Sequence, residues 1–363
     1  MESLVQGTDK RLVVLSGIRP TGPLHLGNHL GAVKDWVALT KRGEHHCYFF
    51  LANLHMLTTR SAALHAEGKK SGVDPKELYD DQIGLVLDLM AAGLDPNKAL
   101  IYAQSSIPEL TELMWLLATF TPVSRIEGMH HFKEKKGKLE DEGVGANAAL
   151  LTYPILMAAD ILGVQADIVP VGDDQRAHVE YARDMARAFN REYGNLFPEP
   201  DIWQTKTLRV PSIDCSGKMG KSHPAGSVFY MDSEKVIRQK CLRAVKAVEN
   251  PPRTQSDWRN DPGDPTKCNV FSFYDGLIGS PEDKAWVEEG CRRATIPCGE
   301  CKARLATRIN EIIAPIRDYR LALETPAARA QAVEILHEGG KQARLRVQEI
   351  VARAKEMVGV PAF

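Results

Sequence analysis

Two short segments, far apart in the chain, have the composition of a phosphate-binding site. The first is Pro20-Thr21-Gly22-Pro23-Leu24-His25-Leu26-Gly27-Asn28 and the second Gly217-Lys218-Met219-Gly220-Lys221-Ser222. The first follows the apolar run Leu12 to Leu15 and leads into a helical pattern with Leu30, Val33, Val37 and Leu39. A strand, a tight glycine turn and a helix start make an anion site, because backbone N–H groups and the helix dipole face the ligand. The second segment sets two lysines on a small glycine-rich loop, and ammonium groups so spaced can grip a polyphosphate as its charge develops. Together they read as halves of one ATP site, although neither is a Walker A loop or a GxGxxG fingerprint.

Such loops need a rigid frame. Apolar runs near residues 12–15, 47–51, 99–102 and 167–171 suit buried strands, and helical patterns near 31–40, 74–92, 109–120, 152–162 and 174–190 alternate with them. The alternation predicts an α/β fold, a doubly wound parallel-sheet (Rossmann-like) catalytic domain. Ligands of such sheets bind at the carboxyl ends of the strands, where the Thr21–Asn28 turn falls. Beyond Pro224 the pattern becomes helical, near 236–248, 302–320 and 327–357, and Pro251, Pro252, Pro262 and Pro265 break a long loop between the first two. The expected division is residues 1–230 for the catalytic domain, 231–335 for a helical second domain, and 336–363 for a C-terminal helix packing back on the first.

With 363 residues the chain can bury a sizeable core, and 44% hydrophobic with 26% charged residues is ordinary globular composition. A formal net charge of −1 excludes a globally basic nucleic-acid binder, so RNA contact would need local basic patches. Residues 1–10 are polar and no apolar run is long enough to span a bilayer, which leads to the expectation of a cytoplasmic enzyme. Seven cysteines in that setting point to metal or redox chemistry before disulfides.

A second constellation is Tyr153-Pro154-Ile155-Leu156-Met157-Ala158-Ala159-Asp160-Ile161-Leu162, followed by Asp167-Ile168-Val169-Pro170-Val171-Gly172-Asp173-Asp174-Gln175. On a helix, Tyr153, Met157 and Asp160 share one face. A carboxylate among apolar walls needs a partner, and an indole N–H, a donor only, is a suitable one. The methionine gives a polarisable wall to an aromatic ring. Taken singly, Asp160 is a helix residue with a local partner, Asp173-Asp174 a helix N-cap, and 133–138 a solvated basic turn. His55, near the end of the second strand, divides equally between site and packing. The order and spacing of the set favour a site.

His25-Leu26-Gly27-Asn28 resembles the HIGH motif of class I aminoacyl-tRNA synthetases, and Lys218-Met219-Gly220-Lys221-Ser222 resembles their KMSKS loop, with Gly220 where the motif has serine. That departure removes a side-chain hydrogen bond and adds backbone freedom. From Ser16 to about Ser222 the chain is similar to bacterial tryptophanyl-tRNA synthetases, and more loosely so through Ile313-Ala314-Pro315-Ile316-Arg317. The resemblance implies a ligase that activates L-tryptophan with Mg2+-ATP and charges tRNA(Trp), working as a homodimer whose helical domain binds the anticodon. It implies that Asp160 binds the indole nitrogen, Met157 the ring, and Tyr153, Gln175 and Gly17 the rest of the amino acid. His25 and Asn28 would donate to the triphosphate, and Lys218, Lys221 and Ser222 would hold the departing pyrophosphate. Phe132-Lys133-Glu134-Lys135 also matches and implicates Lys135. The nucleotide pocket would take Arg19, Pro20, Thr21, Gly27, Gly172, Asp173, Asp174, Met219 and Gly220, with Val210 touching adenine. A polar insertion lies near 61–71. The rival within this resemblance is tyrosyl-tRNA synthetase, but Met157, a weak acceptor and no donor, is poorly suited to a phenol hydroxyl and tilts the choice to tryptophan. Outside it stands a synthetase-like regulator that binds tryptophan or RNA without charging.

Cys268, Cys291, Cys298 and Cys301 form C-x22-C-x6-C-x2-C, the last two a chelate pair at a helix start. Four thiolates suit zinc or an iron–sulfur cluster, and one CxxC knuckle is fewer than zinc ribbons offer. The pattern resembles the four-cysteine motif that binds a [4Fe-4S] cluster in a subset of the bacterial tryptophanyl enzymes. Arg292, Arg293, Lys302 and Arg304 flank it, either to meet an anticodon or as solvated charges. Cys47, Cys215 and Cys241 have no such pattern.

Overall fold

The computed structural model describes residues 11–58, 74–141, 146–172, 175–203, 210–221, 223–244 and 262–361. The insertion expected near 61–71, Asp173, Asp174, Ser222 and the side chain of Lys135 lie outside the described residues.

Five strands form one parallel sheet in the order β3-β2-β1-β4-β5, with β1 Val13–Ile18, β2 His46–Leu51, β3 Ala99–Ala103, β4 Ile168–Pro170 and β5 Asp201–Trp203. The strand runs are continuously apolar because both faces are covered. Val14, Phe49 and Ile101 feed one hydrophobic cluster, whereas Leu15, Phe50 and Tyr102 feed the other. Helices Lys34–Arg42 and Pro75–Ala91 cover the first face, and Glu109–Ala118, Ala148–Gly163 and Arg176–Tyr193 the second.

β2 keeps register with β1 from Val13↔His46 to Ile18↔Leu51, but β4 meets β1 only at Val14↔Ile168. Chain order reverses at this pair of strands, so a crevice opens beyond it at their carboxyl ends. The Ser16 hydroxyl spans that opening, donating to the Pro170 carbonyl at 3.1 Å.

Four further helices, Glu234–Arg243, Asn269–Tyr274, Pro281–Arg292 and Cys298–Ala322, join the first cluster through Ile237, Phe273, Val287 and Ile309. The core therefore runs without a break across the expected boundary at residue 231. A buried ion pair strengthens the junction, Arg320 Nε to Asp88 Oδ1 at 2.8 Å, and Asp88 Oδ2 also accepts the Leu24 N–H at 2.9 Å. The last helix, Pro326–Val358, lies along the edge strand β3. Its Gly339 is obligatory there, because a Cβ would stand 2.1 Å from the Ile101 carbonyl oxygen. Covering the edge removes an open template for strand pairing.

Three sequence expectations change. The basic stretch 133–138 is part of helix His130–Asp141, not a turn. The helix expected over 236–248 ends at Arg243, since Ala244 turns to an extended ψ of 126°. β5, three residues long and only partly covered, was not expected at all. Among the described residues, no helix is long and apolar enough to cross a membrane.

Candidate active site

The crevice holds a cavity of about 510 Å³ whose walls include Gly17, Arg19, Tyr153, Met157, Asp160, Gly172 and Gln175. Helix Ala148–Gly163 supplies Tyr153, Met157 and Asp160 from one face, as the i, i+4, i+7 spacing predicts. Gly17, the last residue but one of β1, lies against the Phe50 ring, and a Cβ there would lie 2.5 Å from it. The Tyr153 hydroxyl meets His178 Nε2 at 3.2 Å.

Asp160 is 1% exposed and is not a lone carboxylate. His55 Nε2 lies 2.9 Å from its Oδ2, and Gln104 Nε2 donates to Oδ1 and Oδ2 at 3.0 and 2.8 Å. Burial pushes the Asp160 carboxyl up, and the hydrogen bond from His55, its charge and that from Gln104 hold it back. Gln104, fully buried, also accepts the Leu54 and His55 N–H groups, so it ties the start of the helical stretch after β2 to the aspartate. Sequence reasoning missed it; the one signal was a polar residue placed directly after the apolar run of β3. His55 serves both roles that were weighed, lining the cavity and holding Asp160. Asp35 and Glu134 are unexpected acidic wall residues, and burial pushes the Asp35 carboxyl up.

The two signature segments come together, and Arg19, a cavity-wall residue, lies near enough to Lys221 to lower its ammonium. His25 caps the Leu26–Asn28 turn, its Nδ1 accepting the Asn28 N–H at 3.3 Å while Asn28 Oδ1 accepts the His25 N–H at 3.2 Å. Acceptance by Nδ1 leaves the ring proton on Nε2, in donor form. Burial, then Lys221 and Lys218, hold this imidazole down at about 4, so both lysines lie near it. Gly27 belongs to the same contact, since its Cβ would lie 2.9 Å from His25 Nδ1 and 3.3 Å from the Met219 Cβ. Lys221 Nζ donates to the Gly22 carbonyl and closes the lysine loop onto the first segment. Burial lowers this ammonium to about 8 against the attraction of Asp88 and Asp81.

Of the remaining residues singled out, Pro20 is buried and Thr21 exposed on the turn before His25. Val210 and Met219 are each 2% exposed and packed in the hydrophobic cluster.

The family described as tRNA synthetases class I (W and Y) matches residues 8–314. This chain belongs to that family. It is 36% identical over 347 residues to the tryptophan–tRNA ligase of Deinococcus radiodurans, covering 95% of this chain and 98% of the relative. The corresponding enzyme of Thermotoga maritima is 37% identical over 347 residues, covering 95% and 97%. Among solved structures, tryptophanyl-tRNA synthetase from Campylobacter jejuni complexed with ADP and tryptophan aligns with a TM-score of 0.76 at 30% identity, covering 96% of this chain and 100% of that one. A tyrosyl-tRNA synthetase from Aeropyrum pernix, at 18% identity and a TM-score of 0.63, shares the fold.

In this class I synthetase the four patterned cysteines line one small cavity with Val270, Phe271, Val287 and Ile296. Helix Cys298–Ala322 begins at the chelate pair. Burial, then Cys268, Cys298 and Cys291, push the Cys301 thiol up to about 12. Cys215 sits at a φ of 64°, and burial, then Cys268, push its thiol up as well. The flanking cations are engaged within the chain. Arg304 pairs with buried Asp283 at 2.6 Å and lies over the Trp286 ring, Arg292 and Arg293 pair with Glu288 and Glu289, and Lys302 donates to the Leu242 and Ala244 carbonyls. Arg304 and Lys302 thus brace their own chain, while Arg292 and Arg293 form exposed surface pairs.

Proposed function

We propose that this protein is a tryptophan–tRNA ligase with its site in the β1/β4 crevice. The observation that carries the reading is Asp160, a buried carboxylate fixed by two donors in a wall shared with Met157 and Tyr153. Full-length relatives 36–38% identical bear that name. The tryptophan carboxylate, already ionised, attacks the α-phosphorus of Mg2+-ATP. A P–O bond forms, the bond to the bridging oxygen of the β-phosphate breaks, and tryptophanyl-adenylate and pyrophosphate result. A 3′-terminal ribose hydroxyl of tRNA(Trp) then attacks the acyl carbon and displaces AMP. No protein nucleophile is needed, so the enzyme contributes position and charge.

In this scheme His25 and Asn28 orient the triphosphate, and Lys218, Lys221, Ser222 and Lys135 neutralise it. Arg19, Pro20, Thr21, Gly27, Gly172, Asp173, Asp174, Val210, Met219 and Gly220 frame the nucleotide. Gly17, Tyr153, Met157, Asp160 and Gln175 frame tryptophan. Residues 1–230 are assigned to catalysis, 231–335 to the anticodon, and 336–363 to the returning helix, in a cytoplasmic homodimer. The test is tryptophan-dependent ATP–pyrophosphate exchange together with charging of tRNA(Trp) and tRNA(Tyr). Exchange with tryptophan alone and charging of tRNA(Trp) alone are expected. Preference for tyrosine would favour the rival pocket, and absence of any exchange would favour a non-charging regulator.

Cys268, Cys291, Cys298 and Cys301 are assigned to a [4Fe-4S] cluster, with zinc as the alternative. The shared apolar cavity supports a metal centre. The cluster would act as a staple and supply no group to the reaction. Metal analysis of anaerobically purified protein should give iron with visible absorption. Stoichiometric zinc without iron would reverse the assignment.

A further inference from the structure

The lysine loop is a hairpin whose position is set from outside itself. Its two arms pair through Ser212 N–H to the Gly217 carbonyl at 2.8 Å and Met219 N–H to the Val210 carbonyl at 2.9 Å, with a bridge between Pro211 and Lys218. Ser212 and Ile213, at the turn end of the first arm, are 0% and 1% exposed. The side-chain amide of Asn269 donates to both of their carbonyls, at 2.9 and 3.2 Å. Asn269 follows Cys268 directly and begins a helix whose Val270, Phe271, Phe273 and Tyr274 are buried. That helix is fixed in turn by the Tyr274 hydroxyl, which donates to the Cys301 carbonyl at 2.7 Å. One rigid helix at the wall of the cysteine cavity thus grips the arm against which Lys218 is registered.

We infer that Asn269 is a positioning residue for the lysine loop, clamping Ser212 and Ile213 so that Lys218 and Lys221 meet the ATP phosphates. The inference rests on the phosphate role proposed above for those lysines. The Ser212 carbonyl also accepts the Cys215 N–H at 3.3 Å, so loss of the amide bears most on the Ile213 carbonyl at the turn end of the arm, and a weakened buried acceptor there lets the arm shift. A small displacement of a charge-stabilising group is enough to slow a positioned reaction.

The test is Asn269→Asp, which keeps the shape and removes both donors. Hydrogen exchange of the peptide spanning 210–221 should quicken about tenfold while the peptide spanning 153–163 is unchanged. The KM for ATP in pyrophosphate exchange should rise about tenfold, with the tryptophan Kd within about twofold of wild type. Wild-type exchange over 210–221 together with an unchanged KM for ATP would overturn the inference. If wild-type protein shows no pyrophosphate exchange at all, the functional reading fails, and hydrogen exchange still decides whether Asn269 holds the loop. Should Asn269→Asp not fold, Asn269→Ser, which retains one donor, is read by the same two measurements.

Discussion

The hydroxyl of Ser227 brackets Gly220, donating to its carbonyl at 2.7 Å and accepting its N–H at 3.1 Å. Ser227 is fully buried, and Gly220 is not among the glycines with a left-handed φ. The backbone freedom expected of glycine at this point of the motif is therefore taken up by a serine seven residues further on. Ser227→Ala should strip both partners at once and raise the KM for ATP about fivefold to tenfold. Gly220→Ala, compatible with the backbone there, should stay within about twofold. Steady-state pyrophosphate exchange compares the two, and equal damage would remove the bracket from the account.

Lys221 titrates at about 8 because burial disfavours its charge more than Asp88 and Asp81 restore it. Only the ammonium can neutralise phosphate. The kcat/KM for ATP, which reports groups of the uncomplexed enzyme, should fall as pH rises through about 8. Lys221→Arg should remove that limb, since guanidinium stays charged over the range. Lys221→Ala should cut the adenylate-forming rate by about 100-fold or more and leave tryptophan affinity nearly intact. A flat profile in wild type, or a limb surviving in Lys221→Arg, would assign the titration elsewhere.

What was legible in the chain follows from range. The strand–turn–helix around Thr21–Asn28 is local, and its glycine turn and apolar flanks announce it. Tyr153, Met157 and Asp160 are legible because helical geometry alone brings them together. The partners of Asp160 are 105 and 56 residues away, and no pattern in β2 or β3 marks His55 or Gln104 as meeting it. Ser227 and Asn269 are single polar residues whose meaning lies in backbone atoms of another segment. β5 escaped because Asp201–Trp203 is too short and too exposed to carry an apolar run. The pairing of Arg304 was hidden as well, because sequence cannot reveal that Asp283 waits, fully buried, 21 residues upstream.

Asp160 and Gln104 form a buried unit, so their effects should not add. Asp160→Asn should lower kcat/KM for tryptophan by about 100-fold, because the indole N–H loses its acceptor charge. Gln104→Leu should cost about tenfold by leaving the carboxylate short of a donor and raising it further toward the protonated form. The double variant should resemble Asp160→Asn alone. Strict additivity in this cycle, or wild-type kcat/KM in Asp160→Asn, would count against the pocket.

Two histidines, one in the first motif and one directly after it, make the fold acid-sensitive. His25 and His29 are each held at about 4 from an ordinary 6.5, chiefly by burial, with Lys221 and Lys218 adding for the first and Lys34 for the second. The unfolded chain therefore takes up these protons first as pH falls. Stability is complete above 6.5, is lost progressively down to about 4, and the loss is finished below that. For His25 the shift corresponds to about 3 kcal/mol. His29 Nδ1 lies 2.9 Å from the Tyr230 hydroxyl, which burial keeps protonated and donating, so a second proton on this ring would break the contact. His29→Gln preserves an acceptor without a titrating group. Thermal melting between about pH 7 and 4.5 should show a steep fall of Tm in wild type and a shallower one in His29→Gln. Parallel curves for the two proteins would mean that His29 is not one of the groups that set acid stability.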